Sequence, residues 1–207
     1  MSKILLISCT PRHESNTKKL VQTFIDATRD KADITHLDLV DDPAPLLLGD
    51  NLNALLKRNF MGLELDADES KILQDFDQLV DQLQDFDRIV LAYPMYNFSI
   101  PAVVKAWFDA VIQNGKTFKI KPEGGYEGLC QDTKALVLMT TGGDYSQEPT
   151  KSMNFATPLA QTCFGFMGIE THSINAYGLN QYMDKADKIV ASAQQEIVTY
   201  LANSDFI

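Results

Sequence analysis

Lys3-Ile4-Leu5-Leu6-Ile7-Ser8-Cys9-Thr10-Pro11-Arg12-His13-Glu14-Ser15-Asn16-Thr17 is the stretch that decides the fold. Its first part, Lys3–Ser8, is a short continuous apolar run, the pattern of a strand covered on both faces. Its last part opens a helix-period segment, Ser15–Arg29, with Leu20, Val21, Phe24 and Ile25 on one stripe. A strand leading through a polar loop into a helix is the repeating unit of a parallel sheet. Met1-Ser2-Lys3 before apolar residues and Cys9 bears a faint likeness to a secretion signal. Its apolar stretch falls short of the ~7–15 residues such a signal needs, so a first strand is the reading that stands.

Outward from that unit the alternation continues. Ile34–Val40 reads as a strand, and Ile72, Leu73, Phe76, Leu79, Val80 and Leu83 mark a helix after Asp68. Arg88–Tyr93 returns to strand, and Ile100, Val103, Val104, Trp107 and Val111 form the next helix face. Ala135–Thr140 is a strand, Lys151–Phe166 a helix, Ile169–Ala176 a strand and Asp184–Leu201 a closing helix. The order βαβαβαβαβα with right-handed crossovers predicts an α/β fold, a parallel sheet with helices on both faces. Five strands fit the flavodoxin-like order 2-1-3-4-5. Asp41–Leu65, with Pro43, Pro45 and Gly49, and Gly115–Gly128, with Pro122, Gly124 and Gly125, read as irregular, functional or interface-forming loops. No repeat or linker divides the chain, so residues 1–207 are expected to form a single domain.

The 207 residues are 45% apolar and 22% charged, a globular composition. A chain of this size buries roughly 70% of its unfolded surface and needs no covalent staple. Lys+Arg 18 against Asp+Glu 28 gives a net charge of -10. Such a surface repels nucleic acid and anionic lipid, so neither is an expected partner, and any phosphate must be held locally by backbone and hydroxyl donors. Cys9, Cys130 and Cys163 are odd in number and form no C-x-x-C, which favours a reduced, cytoplasmic chain. His13, His36 and His172 stand apart, so no metal is expected. No apolar run approaches the ~18–20 residues of a membrane span.

In an open parallel sheet, ligands bind beyond the carboxyl ends of the strands. After the first strand, Thr10, Ser15, Asn16 and Thr17 sit at the mouth of a helix, where free N–H groups and hydroxyls make an anion cradle. Ser15 or Asn16 serves equally as a plain N-cap. Neither G-x-x-x-x-G-K-[ST] nor G-x-G-x-x-G occurs. Cys9 reads as a small buried filler. After the third strand, Pro94-Met95-Tyr96-Asn97-Phe98-Ser99-Ile100-Pro101 sets a flat apolar surface beside amide donors. That suits a planar heteroaromatic ring, or a plain turn with an aromatic plug. After the fourth, Thr140-Thr141-Gly142-Gly143-Asp144-Tyr145 allows close backbone approach. A phosphate cradle and a ring platform on adjacent strand ends outline a mononucleotide with a flat head, and FMN fits that outline.

These residues resemble the FMN-dependent NADH azoreductases, also called FMN-dependent NADH:quinone oxidoreductases. The likeness rests on Pro94–Pro101, Thr10-Pro11-Arg12, Ser15-Asn16-Thr17, Gly115-Lys116-Thr117-Phe118, Gly128-Leu129 and Phe164-Gly165-Phe166-Met167-Gly168-Ile169, in order along nearly the whole chain. Thr141 stands where the family often has an arginine before its glycine pair, and Gly125-Tyr126-Glu127-Gly128-Leu129 departs from Gly-Pro-x-Gly-Leu. The resemblance implies a homodimer with noncovalent FMN and a ping-pong cycle. NADH or NADPH delivers hydride to flavin N5, and a quinone or azo compound then takes its place. The hard chemistry is the flavin's, so no catalytic acid or base is expected.

By the same resemblance, Thr10 and Ser15–Thr17 hold the phosphate and ribityl end, and Pro94, Met95, Tyr96, Asn97 and Phe98 lie along the ring. Thr140, Thr141, Gly142 and Gly143 place donors near its N1/O2 edge. Phe118 either covers the substrate slot or plugs a dimer interface; a flavin on strand ends also needs shielding, for which a second subunit's Asp41–Leu65 and Gly115–Gly128 are the available loops. A different class of function is a flavodoxin-type electron carrier, with the same fold and cofactor but no NADH site. A phosphodiester hydrolase lacks both metal ligands and a nucleophile–base pair.

Overall fold

A computed structural model describes residues 1–207. In chain order the elements are β1 (Ser2–Ser8), α1 (Asn16–Thr28), β2 (Ala32–Asp38), α2 (Gly49–Asn59), α3 (Ala67–Ile72), α4 (Gln74–Gln84) and β3 (Arg88–Pro94). Then follow α5 (Ala102–Val111), β4 (Phe118–Ile120), β5 (Tyr126–Gly128), β6 (Lys134–Thr140), α6 (Ala156–Phe166), β7 (Glu170–Ala176) and α7 (Ala186–Asn203). Five strands form one parallel sheet in the order β2-β1-β3-β6-β7, which is 2-1-3-4-5 when only this sheet is counted.

The apolar runs of the central strands are continuous because each serves two cores. In β1, Leu5 and Ile7 face one core while Ile4 and Leu6 face the other. Likewise Ile89, Leu91 and Tyr93 of β3 oppose Val90 and Ala92, and Val137 and Met139 of β6 oppose Leu136 and Leu138. Strand side chains alternate by two, so a sheet covered on both faces has no polar positions to spare. On one face α1 and α7 supply Leu20, Val21, Phe24, Val190 and Ile197. Phe206 is also fully buried there, edge-on to Phe24. The other face is closed by Phe76 and Val80 of α4, Trp107 and Phe108 of α5, and Phe164 of α6. Trp107, Phe108 and Phe164 form an aromatic triad whose ring centroids lie 5.1–6.2 Å apart, and the indole N–H of Trp107 is buried without an acceptor.

Two stretches depart from the sequence reading. Asp41–Leu65 is not wholly irregular, because α2 occupies Gly49–Asn59. The prolines lie upstream of it, and Leu52, Leu55 and Leu56 recur at helical spacing although only Ala54 and Leu55 are buried. Gly115–Gly128 holds an antiparallel hairpin, β4 and β5, with Phe118 opposite Gly128. Its turn carries Gly124 and Gly125 at φ of +97° and +82°, a conformation that favours glycine. The helix expected after Asp68 is broken into α3 and α4, with Asp66 capping α3 and Ile72 exposed. The helix expected from Lys151 begins as a 3-10 turn at Thr150–Met153, and α6 starts at Ala156. Register brings Pro94, Thr140 and Ala176 side by side, with Ser8 beside Ala92, so the loops after four strands meet along one edge of the sheet.

Candidate functional site

At that edge the first loop runs from Ser8 to the start of α1. Ser15 caps the helix and its hydroxyl accepts the Lys18 N–H at 3.2 Å. The N–H groups of Asn16 and Thr17 have no acceptor within the chain, so the positive end of the helix dipole faces outward with donors to spare. Thr17 and Thr140 join their hydroxyls at 2.6 Å, buried, which ties the helix mouth to the end of β6. Ser15 is therefore a cap, as helix starts generally require, and also a wall of the cleft. Cys9 is buried, and burial, helped by Asp38, pushes its thiol up to about 11. A neutral thiol there is filler and no nucleophile.

The second loop leaves β3 at Pro94. Met95 donates its N–H to the Thr140 carbonyl at 2.8 Å. Tyr96 and Ser99 then exchange both main-chain hydrogen bonds, at 2.9 and 3.0 Å, closing a tight turn over Asn97 and Phe98. Both central residues are left-handed, with φ of +45° and +73°, as a type I′ turn requires. Asparagine tolerates this; for phenylalanine it costs about 1–2 kcal/mol. The N–H groups of Asn97 and Phe98 have no acceptor within the chain.

The third loop is shaped by what presses on it. A Cβ on Gly142 would meet Asn180 Nδ2 at 2.7 Å, and one on Gly143 would meet the Tyr145 ring at 3.2 Å. Thr141 bonds the Gly143 carbonyl through its hydroxyl at 2.5 Å, while the N–H groups of Gly142 and Gly143 stay free. The segment after β7 docks here: Leu179 donates to the Thr141 carbonyl and Asn180 to that of Gly142.

Together these loops bound a cleft of about 210 Å³. Ser15, Asn16 and Thr17 line one end, Pro94, Met95 and Tyr96 a side, and Thr140, Thr141 and Gly142 the floor. Of the other expected residues, Thr10, Asn97, Phe98 and Gly143 belong to the same loops but do not line it. Pro11, Arg12, Leu179 and Asn180 line it as well. Leu179 and Asn180 follow the last strand, and the signals for them were the strand-end position and the glycine just before, Gly178 at φ +81°. Phe118 is not in this cleft. It is buried in the hairpin against Tyr126 and against Phe166 at the end of α6, near where the strands begin.

The donor set fits a mononucleotide with a flat head. Free N–H groups and hydroxyls at a helix mouth suit a phosphate, with Arg12 at the same wall. Pro94–Tyr96 offers a plank of apolar surface, and the free N–H of Gly142 on the cleft floor can meet a heteroatom at a ring's edge.

Comparison with known proteins bears on the same question. A family model described as a flavodoxin-like fold matches residues 2–201. The chain is 35% identical over 204 residues to an FMN-dependent NADH:quinone oxidoreductase of Brevibacillus brevis, covering 96% of this chain and 97% of that protein. It is 32% identical over 203 residues to FMN-dependent NADH:quinone oxidoreductase 2 of Bacillus cereus, covering 95% and 97%. Among solved structures, an azoreductase from Bacillus anthracis superposes with a TM-score of 0.88 at 29% identity, covering 96% of this chain and 98% of that one.

Proposed function

The chain belongs to the family of FMN-dependent NADH:quinone oxidoreductases, on the flavodoxin-like fold, and from that premise we propose which of its residues carry the work. It is an enzyme that transfers electrons from NADH to quinones or azo compounds with FMN as its cofactor. Bound FMN supplies the hydride chemistry, accepting two electrons from one substrate and passing them to the next. The protein's own residues bind, orient and shield.

Asn16 and Thr17 donate main-chain N–H groups to the phosphate, with the hydroxyls of Ser15 and Thr17, the loop around Thr10 and the Arg12 side chain beside them. Pro94, Met95 and Tyr96 lie along the ring, and the Asn97–Phe98 turn holds its free donors at the ring's rim. Thr140 and Thr141 support the floor, while Gly142 and Gly143 keep free N–H groups in a loop that Asn180 and Tyr145 press too closely for a side chain. No side chain in the cleft has to act as acid or base. The single observation that carries this reading is the meeting of unsatisfied donors at the α1 mouth with the Pro94–Tyr96 plank across one cleft, joined by the Thr17–Thr140 bond. The electron-carrier reading has nothing in its favour among the relatives described above, all of which bear an enzyme's name.

A homodimer is part of the proposal. Leu48, Leu52, Leu56 and Phe60 recur every fourth residue along α2 and its two flanking caps, and all are exposed, a stripe suited to a second copy. Phe118 does not line its own chain's cleft and packs against Tyr126 and Phe166, so a place at a substrate slot falls to it only across a subunit boundary. The whole of residues 1–207 acts as one folding unit, since both cores share one sheet. A cytoplasmic setting accords with three free cysteines, and no helix is long and apolar enough to cross a membrane.

The experiment is a spectrum followed by one addition. Purified protein mixed with FMN binds it in a stoichiometric complex, and anaerobic NADH bleaches the flavin absorbance, which quinone then restores. Bleaching no faster than that of free FMN would defeat the enzyme reading; failure to bind FMN at all would defeat the site.

A further inference from the structure

The direction of the free N–H on the cleft floor is set by the carbonyl that shares its peptide. In a planar trans peptide the C=O and the following N–H point opposite ways, so whatever holds the Thr141 carbonyl also aims the Gly142 N–H. The Thr141 carbonyl accepts the Leu179 N–H at 3.0 Å. The next two carbonyls are held by the same segment. That of Gly142 accepts the N–H groups of Asn180 and Gln181, both at 2.9 Å, and that of Gly143 accepts the Gly178 N–H at 2.9 Å. Gly178–Tyr182 is thus a clip along the back of the loop after β6, and it leaves the Gly142 N–H free on the other side.

The clip is closed on itself and pinned to the loop. The Tyr182 N–H returns to the Gly178 carbonyl at 2.8 Å, and a Cβ on Gly178 would meet the Tyr182 ring at 2.7 Å. The pin is the amide of Gln181. Its Oε1 accepts the Asp144 N–H at 2.8 Å, and its Nε2 donates to the Tyr182 hydroxyl at 3.0 Å. That hydroxyl donates in turn to Asp144 Oδ2 at 3.3 Å, closing the ring of bonds. Gln181 is exposed and does not line the cleft. An exposed glutamine held at both ends of its amide gives up rotamer freedom that water would leave it. What it secures in return is the alignment of clip and loop.

We propose that Gln181 is a positioning residue for the flavin: through the clip it keeps the Gly142 N–H aimed at the ring, and so raises the reduction potential of bound FMN. This rests on the function proposed above and deepens it. In mildly alkaline solution, two-electron reduction leaves a negative charge on the flavin ring. A hydrogen bond to a charged acceptor is about twice as strong as one to a neutral acceptor. Either bond weakens steeply as its angle departs from linear. A loosened clip therefore costs the reduced cofactor more than the oxidised one. Gln181 itself touches neither flavin nor substrate.

The test compares wild type with Gln181→Met, which keeps the length of the side chain without its amide, and with Tyr182→Phe, which removes the hydroxyl that Gln181 Nε2 meets. Oxidised FMN affinity is read by quenching of flavin fluorescence. The midpoint potential of bound FMN is read by anaerobic spectrophotometric titration against a reference dye in mildly alkaline buffer. Gln181→Met is expected to raise the Kd for oxidised FMN about twofold to fourfold, the scale of one misaligned neutral hydrogen bond. The loss for reduced FMN is about fivefold larger, which lowers the two-electron midpoint by about 20 mV. Tyr182→Phe moves the potential in the same direction by less. A potential in Gln181→Met that stays put or rises overturns the proposal even if FMN binds more weakly, because equal loss in both oxidation states is what plain structural support gives. Should Gln181→Met not fold, an unmoved potential in Tyr182→Phe overturns it alone. Wild type that takes up no FMN overturns the functional reading as well, and shows before any variant is measured.

Discussion

Two hydroxyls 2.6 Å apart, on Thr17 and Thr140, couple the mouth of α1 to the end of β6. Both residues are buried, so removing one hydroxyl leaves the other unpartnered away from water. Thr17→Val, which keeps the shape, is expected to cost about 1–3 kcal/mol in urea unfolding of the apoprotein. It should also raise the FMN dissociation constant, because the helix mouth loses its anchor; a variant as stable as wild type with unchanged affinity would show the bond to be incidental. At this scale the sequence was partly legible. Ser15, Asn16 and Thr17 announce a helix start, which reads equally as a plain N-cap and as an anion cradle. Phe98 was legible as a ring but not as a left-handed residue, since nothing in phenylalanine's chemistry signals positive φ. Asn180 was missed because its importance comes from pressing on Gly142, a contact across the last two strands that no local pattern encodes.

Among the elements, α2 and α4 are joined by a charged clamp. Arg58 grips Asp77 through two hydrogen bonds at 2.7 and 2.8 Å, and Lys116 approaches the same carboxylate at 3.5 Å. Burial works to raise the Asp77 carboxyl, but the Arg58 and Lys116 cations prevail and hold it below the ordinary carboxylate value. A lowered folded-state value means that the clamp's stabilisation is complete above the unfolded carboxylate's pKa, about 4. It fades as pH falls through the lower, folded value. Asp77→Asn should therefore be less stable than wild type in urea at neutral pH, with the gap narrowing as pH drops below about 4. A gap that widens in acid would reverse the sign and refute the clamp. The sequence could not disclose this element pair: the partners are 19 residues apart and no local pattern links them. The strands were legible for the opposite reason. Each central one buries both faces, so its whole length is apolar.

For the molecule as a whole, the alternation of strand and helix left only one economical arrangement, and the edge where ligands gather followed from it. What alternation cannot supply is how the surface is used. Leu48, Leu52, Leu56 and Phe60 lie in the stretch read from sequence as an irregular, functional or interface-forming loop, and the fold leaves them in water. If a second copy covers them, wild type sediments as a dimer and the pair Leu52→Glu and Leu56→Glu sediments as a monomer with unchanged helical content. A double variant that remains dimeric would move the contact elsewhere, with the β4–β5 hairpin next in line. The two cores differ in one further respect with a practical consequence. The chain's sole tryptophan, Trp107, lies at 0% exposure on the α5 side, its N–H without an acceptor. A dry, unbonded indole emits at shorter wavelength than a hydrated one, and disruption of its own layer moves that emission to longer wavelength. Fluorescence during denaturation thus reports on the layer around Trp107, and a single folding unit requires its transition to coincide with that followed by circular dichroism.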